Sequence, residues 1–243
     1  MLLLIDADIV AYQATAYGEQ EVEWDSDTWT VDTDLNRSKE HFHFLLTEYQ
    51  KFTEVKDFKL CFSHKHIFRK DIYPQYKGNR KGRKPVGYSA IKDWACLTYP
   101  HFMKEPLEAD DAMGILQTKF KGKTIIVSMD KDMATIPGKF FRISPSGDHK
   151  MLDITEQEAE RNFLLQAMTG DATDGYPGIP GIGPKKAEEL LNKHGAVWKT
   201  VEDAYLKAGL TKEDALLQGR MARILREENW DFEKEEVKLW NPL

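Results

Sequence analysis

A chain of 243 residues with 41% apolar side chains can bury one large core, or a core with a smaller helical lobe. Its net charge of −6 argues against a uniformly basic nucleic-acid binder, and two cysteines, Cys61 and Cys96, at no metal-ligand spacing exclude a secretory disulfide framework and a cysteine zinc site. The histidines form no zinc motif, and the apolar run Leu2–Ile5 is far too short for a signal peptide or a membrane span, so a soluble cytoplasmic protein is expected.

Leu2–Ile5 reads as a buried parallel strand because it is continuously apolar, and Asp6 stands at its carboxyl end. A polar, hairpin-like stretch rich in Trp, Thr and Asp follows from about Glu21 to Asp34. Phe42, Leu45, Leu46, Tyr49 and Phe52 recur at helical spacing and predict an amphipathic helix covering the sheet, with His41 and His43 on different faces. Phe58–Phe62 is the second strand and runs into a basic stretch containing Lys65, Arg69, Lys70, Lys77, Arg80, Lys81, Arg83 and Lys84, with Asp71 as its one acid. Such a run is a solvated loop or a nucleic-acid surface; Tyr73, Tyr76 and Tyr88 favour the surface, because aromatic faces beside cations suit a single strand. Pro74, Gly78, Gly82 and Pro85 predict a segment that is mobile when empty.

Helical character returns at Ile91–Leu97, a short strand follows near His101–Met103, and a helix opens at Asp110, carrying Ala112, Ile115, Leu116 and Phe120 on one side and stopping near Gly122. Thr124–Met129, β-branched and apolar, is the clearest strand and ends at Asp130. This alternation predicts an α/β core with a mainly parallel central sheet flanked by helices. From about Asp153 the pattern turns helical. Thr155 and Glu158 stand at capping-box spacing before Ala159, Phe163, Leu164 and Ala167. Ala187, Leu190 and Leu191 face inward on the next helix, which Gly195 can end, and Thr211 and Asp214 can open another with Leu217, Met221, Ile224 and Leu225. Trp230, Phe232, Leu239 and Trp240 are too apolar for a free tail and should pack on the core.

Acids gather at strand ends and helix junctions: Asp6, Asp8, Glu108, Asp110, Asp111, Asp130, Asp132, Asp171 and Asp174. In a parallel sheet the carboxyl ends of strands share one edge, where ligands bind at a switch in strand order. Taken singly, Asp110 could be a helix cap and Asp8 a surface residue; their convergence is what points to chemistry. So many carboxylates cannot all ionise together without cations. Divalent metal resolves the conflict, and an all-oxygen set suits two ions of Mg²⁺ or Mn²⁺ about 4 Å apart, able to activate water in a phosphodiester displacement. Gly170–Leu191 then sets Asp171 and Asp174 directly before a glycine hairpin, in which Gly178, Gly181 and Gly183 let backbone N–H groups approach a phosphate and Pro184 suits the first helical position. DNA held by main chain is not read for sequence.

Four ordered motifs carry a family resemblance: Tyr76-Lys77-Gly78-Asn79-Arg80, Glu108-Ala109-Asp110-Asp111, Ser128-Met129-Asp130-Lys131-Asp132, and Gly170-Asp171-Ala172-Thr173-Asp174 with its glycine hairpin. With Arg69-Lys70, Lys84-Pro85-Val86-Gly87-Tyr88 and Gln218–Leu225, the chain resembles the flap endonuclease superfamily of 5′ nucleases, most of all the stand-alone 5′-3′ exonucleases of T-odd bacteriophages. The resemblance runs from Leu2 almost to the end.

It implies a PIN-like α/β nuclease core over about 1–152 with a basic helical arch at about 65–99, and a helical region over 153–243 with a helix-three-turn-helix at about 156–194. By motif position, Asp6, Glu108, Asp110 and Asp111 would belong to a first metal cluster, with Asp130, Asp132, Asp171 and Asp174 in or near a second. Lys77 and Arg80 match basic residues that steer and polarise the scissile phosphate; Arg69, Lys70, Lys84, Lys185 and Lys186 match DNA contacts, and carbonyls around Gly178–Gly183 a K⁺ site. The family usually carries an acid in the stretch aligned with Ser63-His64-Lys65, where His64 stands here, so His64 is open as a direct metal ligand, a ligand through water, a phosphate contact or a packing residue; Asp8 is an open metal ligand too. The implied protein is a monomer of the host-cell cytoplasm acting on DNA with a 5′ end, nick, gap or flap, RNA primers included, in phage replication and recombination. Two rivals share these motifs: a structure-selective ribonuclease, separated by relative cleavage of DNA and RNA strands, and a non-catalytic DNA-binding module, separated by whether any metal-dependent product forms.

Overall fold

The computed structural model describes residues 1–242. β1 (Leu2–Asp6) passes without a break into α1 (Ala7–Gly18), a helix the sequence reading did not separate from its surroundings. Its buried residues Ala7, Ala11, Ala14 and Gly18 are small rather than strongly apolar, so its periodicity is faint, and they let it lie close to α2 (Leu35–Thr53): a Cβ on Gly18 would stand 2.1 Å from Ser38 Oγ. Between the two helices a hairpin, β2 (Glu19–Asp25) and β3 (Thr28–Thr33), projects with Trp24 and Trp29 exposed.

β4 (Asp57–Cys61) leads into the basic stretch, which holds a short α3 (Phe68–Ile72), turns and extended chain, and then α4 (Tyr88–Thr98). Helix is confined to its two ends because Pro74, Gly78, Gly82 and Pro85 interrupt the middle. β5 (His101–Phe102), α5 (Ala109–Lys119), β6 (Thr124–Ser128), β7 (Gly138–Arg142) and β8 (Lys150–Ile154) complete the first half. The sheet order is β5-β4-β1-β6-β7-β8, parallel throughout except for β8. Side chains of β1 alternate between two cores: Leu3 and Ile5 join Phe42, Leu46 and Ile91 under α2 and α4, while Leu4 joins Met113 and Leu116 under α5. Burial on both faces explains why β1 and β6 read as unbroken apolar runs.

The second half is helical: α6 (Glu156–Thr169), α7 (Pro184–His194), α8 (Trp198–Lys207) and α9 (Lys212–Ala222), with a small ladder of β9 (Trp230–Asp231) and β10 (Glu236–Val237). Phe163, Leu164, Ala167, Leu191, Val201 and Tyr205 form its core, which also takes in Ile67 and Tyr76 from the basic stretch. Trp230 packs with Phe68, Leu107, Ile115 and Leu225, and Trp240 meets Trp198 edge-on at 4.8 Å, whereas Phe232 stays exposed. No helix among the described residues is long and apolar enough to cross a membrane.

Candidate active site

The chain leaves β1 for β4 and β5 on one side and returns to β6 on the other, so the strand order switches beside β1. Asp6 stands at that point. Its Oδ1 accepts the Ile9 N–H at 3.4 Å and its Oδ2 accepts the Ser128 hydroxyl at 2.9 Å, tying the ends of β1 and β6 together. Burial first, then the nearby charges of Asp8 and Asp130, push its carboxyl up to about 7. Just past β6, Asp130 Oδ1 accepts the Asp132 N–H at 2.8 Å. Burial and then Asp130 push Asp132 up to about 6. Asp110 does not cap its helix. Glu108 holds the N-cap position, its N–H donating to Asp111 Oδ2 at 3.3 Å, and Asp110 is left with a carboxyl raised well above the ordinary range by burial, Asp6 and Asp130. These acids have no basic partner among the described residues.

Glu108 and Asp174 do. Lys77 Nζ lies 2.5 Å from Glu108 Oε1 and 3.7 Å from Asp174 Oδ2, and Arg80 Nη2 lies 2.5 Å from Asp174 Oδ1. The Tyr76 hydroxyl reaches Asp174 at 2.8 Å and Glu108 at 3.2 Å. Burial alone would raise the Glu108 carboxyl, but Arg69 and Lys77 hold it below its ordinary value. Lys77 sits at φ 56°, a left-handed backbone costly for a non-glycine residue, with its N–H on the Asp174 carbonyl at 2.8 Å. Asp171 Oδ1 accepts the N–H groups of Thr173 and Asp174 at 2.7 and 3.2 Å, forming the turn that presents Asp174. Glu108, Asp110, Asp130, Asp132, Asp171 and Asp174 thus line one cavity of about 760 Å³, with Asp6 buried beside it. They share the cavity rather than a point: among the described residues no three acids, cysteines or histidines stand close enough to enclose an ion.

Several expected roles change. Arg69 is no DNA contact: it is 3% exposed, with its guanidinium on Asp111 at 2.6 and 2.9 Å, on Glu108 at 2.8 Å, and on the carbonyls of Met221 and Arg223. Asp111 in turn is fully buried, saturated by Arg69 and by the Leu225 N–H at 3.0 Å, so it braces α5 against the C-terminal chain instead of facing the cavity. Gly178 is buried too, its N–H donating to Gln218 Oε1 at 2.9 Å. At φ +64° a Cβ there would lie 2.3 Å from the Gly170 nitrogen, so glycine serves a backbone crossing and not a phosphate. Tyr76 and Tyr88 are buried with their hydroxyls on acids, which leaves no aromatic face of theirs for a base.

His64 turns towards Glu105, Nε2 to Oε2 at 3.9 Å, outside the acidic cavity. Asp8 accepts from the Tyr88 hydroxyl at 2.8 Å and the Ser63 N–H at 2.9 Å, with Lys92 Nζ at 3.5 Å. Lys70, Gly181, Gly183, Lys185 and Lys186 are exposed, the last two in the first turn of α7 behind Pro184. Lys84 lies over the Tyr88 ring at 4.0 Å.

Residues 1–163 match the family of the 5′-3′ exonuclease N-terminal resolvase-like domain. The chain belongs to the 5′-3′ exonuclease family. It is 31% identical to the exonuclease of Escherichia phage T7 and 30% identical to the exodeoxyribonuclease of Enterobacteria phage T3, in each case over 99% of this chain and 93% of the relative. Its fold superposes with a TM-score of 0.66 on the D15 flap endonuclease of bacteriophage T5, solved as a pseudo-enzyme-product complex with DNA and metal ions; the match is 15% identical and covers 92% of this chain and 89% of that one. As a 5′-3′ exonuclease/flap endonuclease, this family member is a metal-dependent phosphodiesterase.

Sequence reasoning missed the roles of Ser128 and Gln166 in the site, and gave Tyr76 to a nucleic-acid surface instead of to Glu108 and Asp174. Ser128 directly precedes the Asp130 turn and was legible by position. Gln166 lies one helical turn beyond Asn162 on α6 and four residues before Gly170, a spacing that carries no chemistry until the helix is docked.

Proposed function

We propose that the cavity hydrolyses phosphodiester bonds from the 5′ end of DNA with two divalent ions, Mg²⁺ or Mn²⁺. The observation that carries this reading is the segregation of the acids: Asp6, Asp110, Asp130 and Asp132 crowd together without a basic partner, and burial first, then their mutual repulsion, raises the carboxyls of Asp6, Asp110 and Asp132. An oxygen-only set of this kind fits a hard divalent cation, with Asp110, Asp130, Asp132 and Asp171 as the groups that would hold it and Glu108 and Asp174 completing the ring. When bound, such ions supply an activated water and neutralise charge on the leaving oxygen.

The chain's own residues supply the rest. Lys77 and Arg80, now on Glu108 and Asp174, would meet the phosphate of an entering strand. Lys70 and Lys84 would follow the strand, while the N–H groups of Gly181 and Gly183 and the first turn of α7, with Lys185 and Lys186, would clamp the duplex backbone without reading bases. A K⁺ on the carbonyls of Gly178–Gly183 belongs to the same reading, though the Ile179 carbonyl already accepts the Ile182 N–H at 3.1 Å. The setting is primer removal and end resection on nicked, gapped or flapped DNA, by a monomer in the host cytoplasm.

Asp130→Ala tests the reading on gapped, nicked, blunt and 5′-flap substrates read side by side for product length. Metal-dependent release from the 5′ end should fall by roughly 10²–10³-fold, the scale for losing one preorganised charged group; full cleavage by this variant sinks the proposal.

A further inference from the structure

On α6, Asn162 and Gln166 stand one turn apart and both line the acidic cavity, yet they do different things. The Asn162 amide nitrogen donates to the Ala134 carbonyl at 2.9 Å, an ordinary tie to the backbone. Gln166 Nε2 donates to Asp132 Oδ2 at 2.6 Å. An ionised carboxylate only accepts hydrogen bonds, so this contact fixes the amide with its nitrogen towards Asp132 and its oxygen the other way. That oxygen is buried and finds no donor in the protein. A buried amide oxygen left without a donor is costly, and the cavity beside it is polar and roomy enough to admit water.

We infer that Gln166 is a positioning residue of the nuclease site: its amide nitrogen orients Asp132 towards the divalent ion, and its amide oxygen takes a hydrogen bond from water drawn into the cavity. The placement of Gln166 gives the contact its reach. Asp132 follows the end of β6, whereas Asp171 and Asp174 follow the end of α6, and Gln166 is the side chain of α6 that bonds to the strand-end pair. It sets the spacing between carboxylates that come from the sheet and carboxylates that come from the helical half. Partners that orient a metal's ligands are worth about 10–100-fold in metal affinity.

The inference rests on the two-ion reading, and the test separates the two. Mn²⁺ is titrated into the intact protein without DNA, and free Mn²⁺ is followed by its electron paramagnetic resonance signal. Gln166→Met keeps the volume and removes both polar atoms, while Gln166→Asn keeps the amide but falls one methylene short of Asp132. Each should weaken one of the two Mn²⁺ ions by about tenfold without lowering the melting temperature of the metal-free protein, and with DNA should lower kcat more than it raises KM. Asn162→Leu, in the same cavity, should bind Mn²⁺ as the parent does. Parental Mn²⁺ affinity in either folded Gln166 variant, or an equal loss in Asn162→Leu, overturns the inference. Asp132→Ala distinguishes the levels: if it keeps both ions the two-ion reading itself fails, and if it loses one while Gln166→Met loses none, only the role of Gln166 falls.

Discussion

Two groups of acids of the same chemical type lie within one site and meet opposite fates. Glu108, Asp111 and Asp174 receive Arg69, Lys77 or Arg80 at 2.5–2.8 Å, and Glu108 is held ionised although buried. Asp6, Asp130 and Asp132 receive backbone N–H groups, a hydroxyl or an amide, but they and Asp110 receive no cation. The first group shows carboxylates neutralised by the protein's own cations; among them Asp111 with Arg69 bolts α5 to the C-terminal chain. The second shows charge left uncompensated by the protein, and a site so left is destabilised until a cation from outside arrives.

The largest effect that would sharpen this contrast is on activity. Asp110→Asn should lower metal-dependent cleavage by roughly 10²–10³-fold. Because it also relieves repulsion, it should raise the melting temperature of the metal-free protein by ~3 °C, the shift about 1 kcal/mol gives in a chain of this size. A loss of both activity and stability would break the comparison. Next comes the opposite case. Asp111→Ala strands the buried Arg69 charge, which costs about 3–5 kcal/mol and so roughly 10 °C in thermal melting, while the folded fraction should keep its Mn²⁺ dependence.

A smaller effect lies in pH. The folded carboxyls of Asp6 and Asp132 are raised from 3.8 to about 7 and about 6, so between about pH 4 and 7 the folded state holds more protons than the unfolded one. Stability of the metal-free protein should therefore fall as pH rises through that window, and saturating Mn²⁺ should remove or reverse the slope. The lowered Glu108 acts in the other sense, contributing stability that is lost only as pH falls below its ordinary range. Melting curves across this range with and without Mn²⁺ check the sign. The smallest effect is at His64. Since it faces Glu105 and not the cavity, His64→Asp should leave the Mn²⁺ and Mg²⁺ dependence of cleavage within about twofold of the parent; a marked shift would return this position to the metal site.

Much of the scaffold was legible. β1, β4 and β6 announce themselves as apolar runs with acids beyond, and α2, α6, α7 and α9 by period or cap. α1 was not, since its buried face is mostly alanine and glycine; neither were β7 and β8, in which only Phe140 and Phe141 are buried, nor α8. Within the site the misassignments have one origin. Arg69 sits among exposed cations in sequence, and Tyr76 and Tyr88 beside them, yet all three point inward, because α3 and the turn after it pack on the helical core through Ile67 and Tyr76, and Tyr88 joins the core beneath α2.

What the amino-acid sequence determined by itself was therefore the inventory and its rough place: carboxylates at the carboxyl ends of parallel strands, a second pair before a glycine turn, and cations in a broken segment. Local periodicity and strand chemistry are properties of neighbouring residues, so they are readable from the chain. Which carboxylate receives a cation depends on partners far along the chain, as Arg69 with Glu108, 39 residues away, and Arg80 with Asp174, 94 residues away, show. Charge–charge energy is set by distance and burial, and only the tertiary structure decides both.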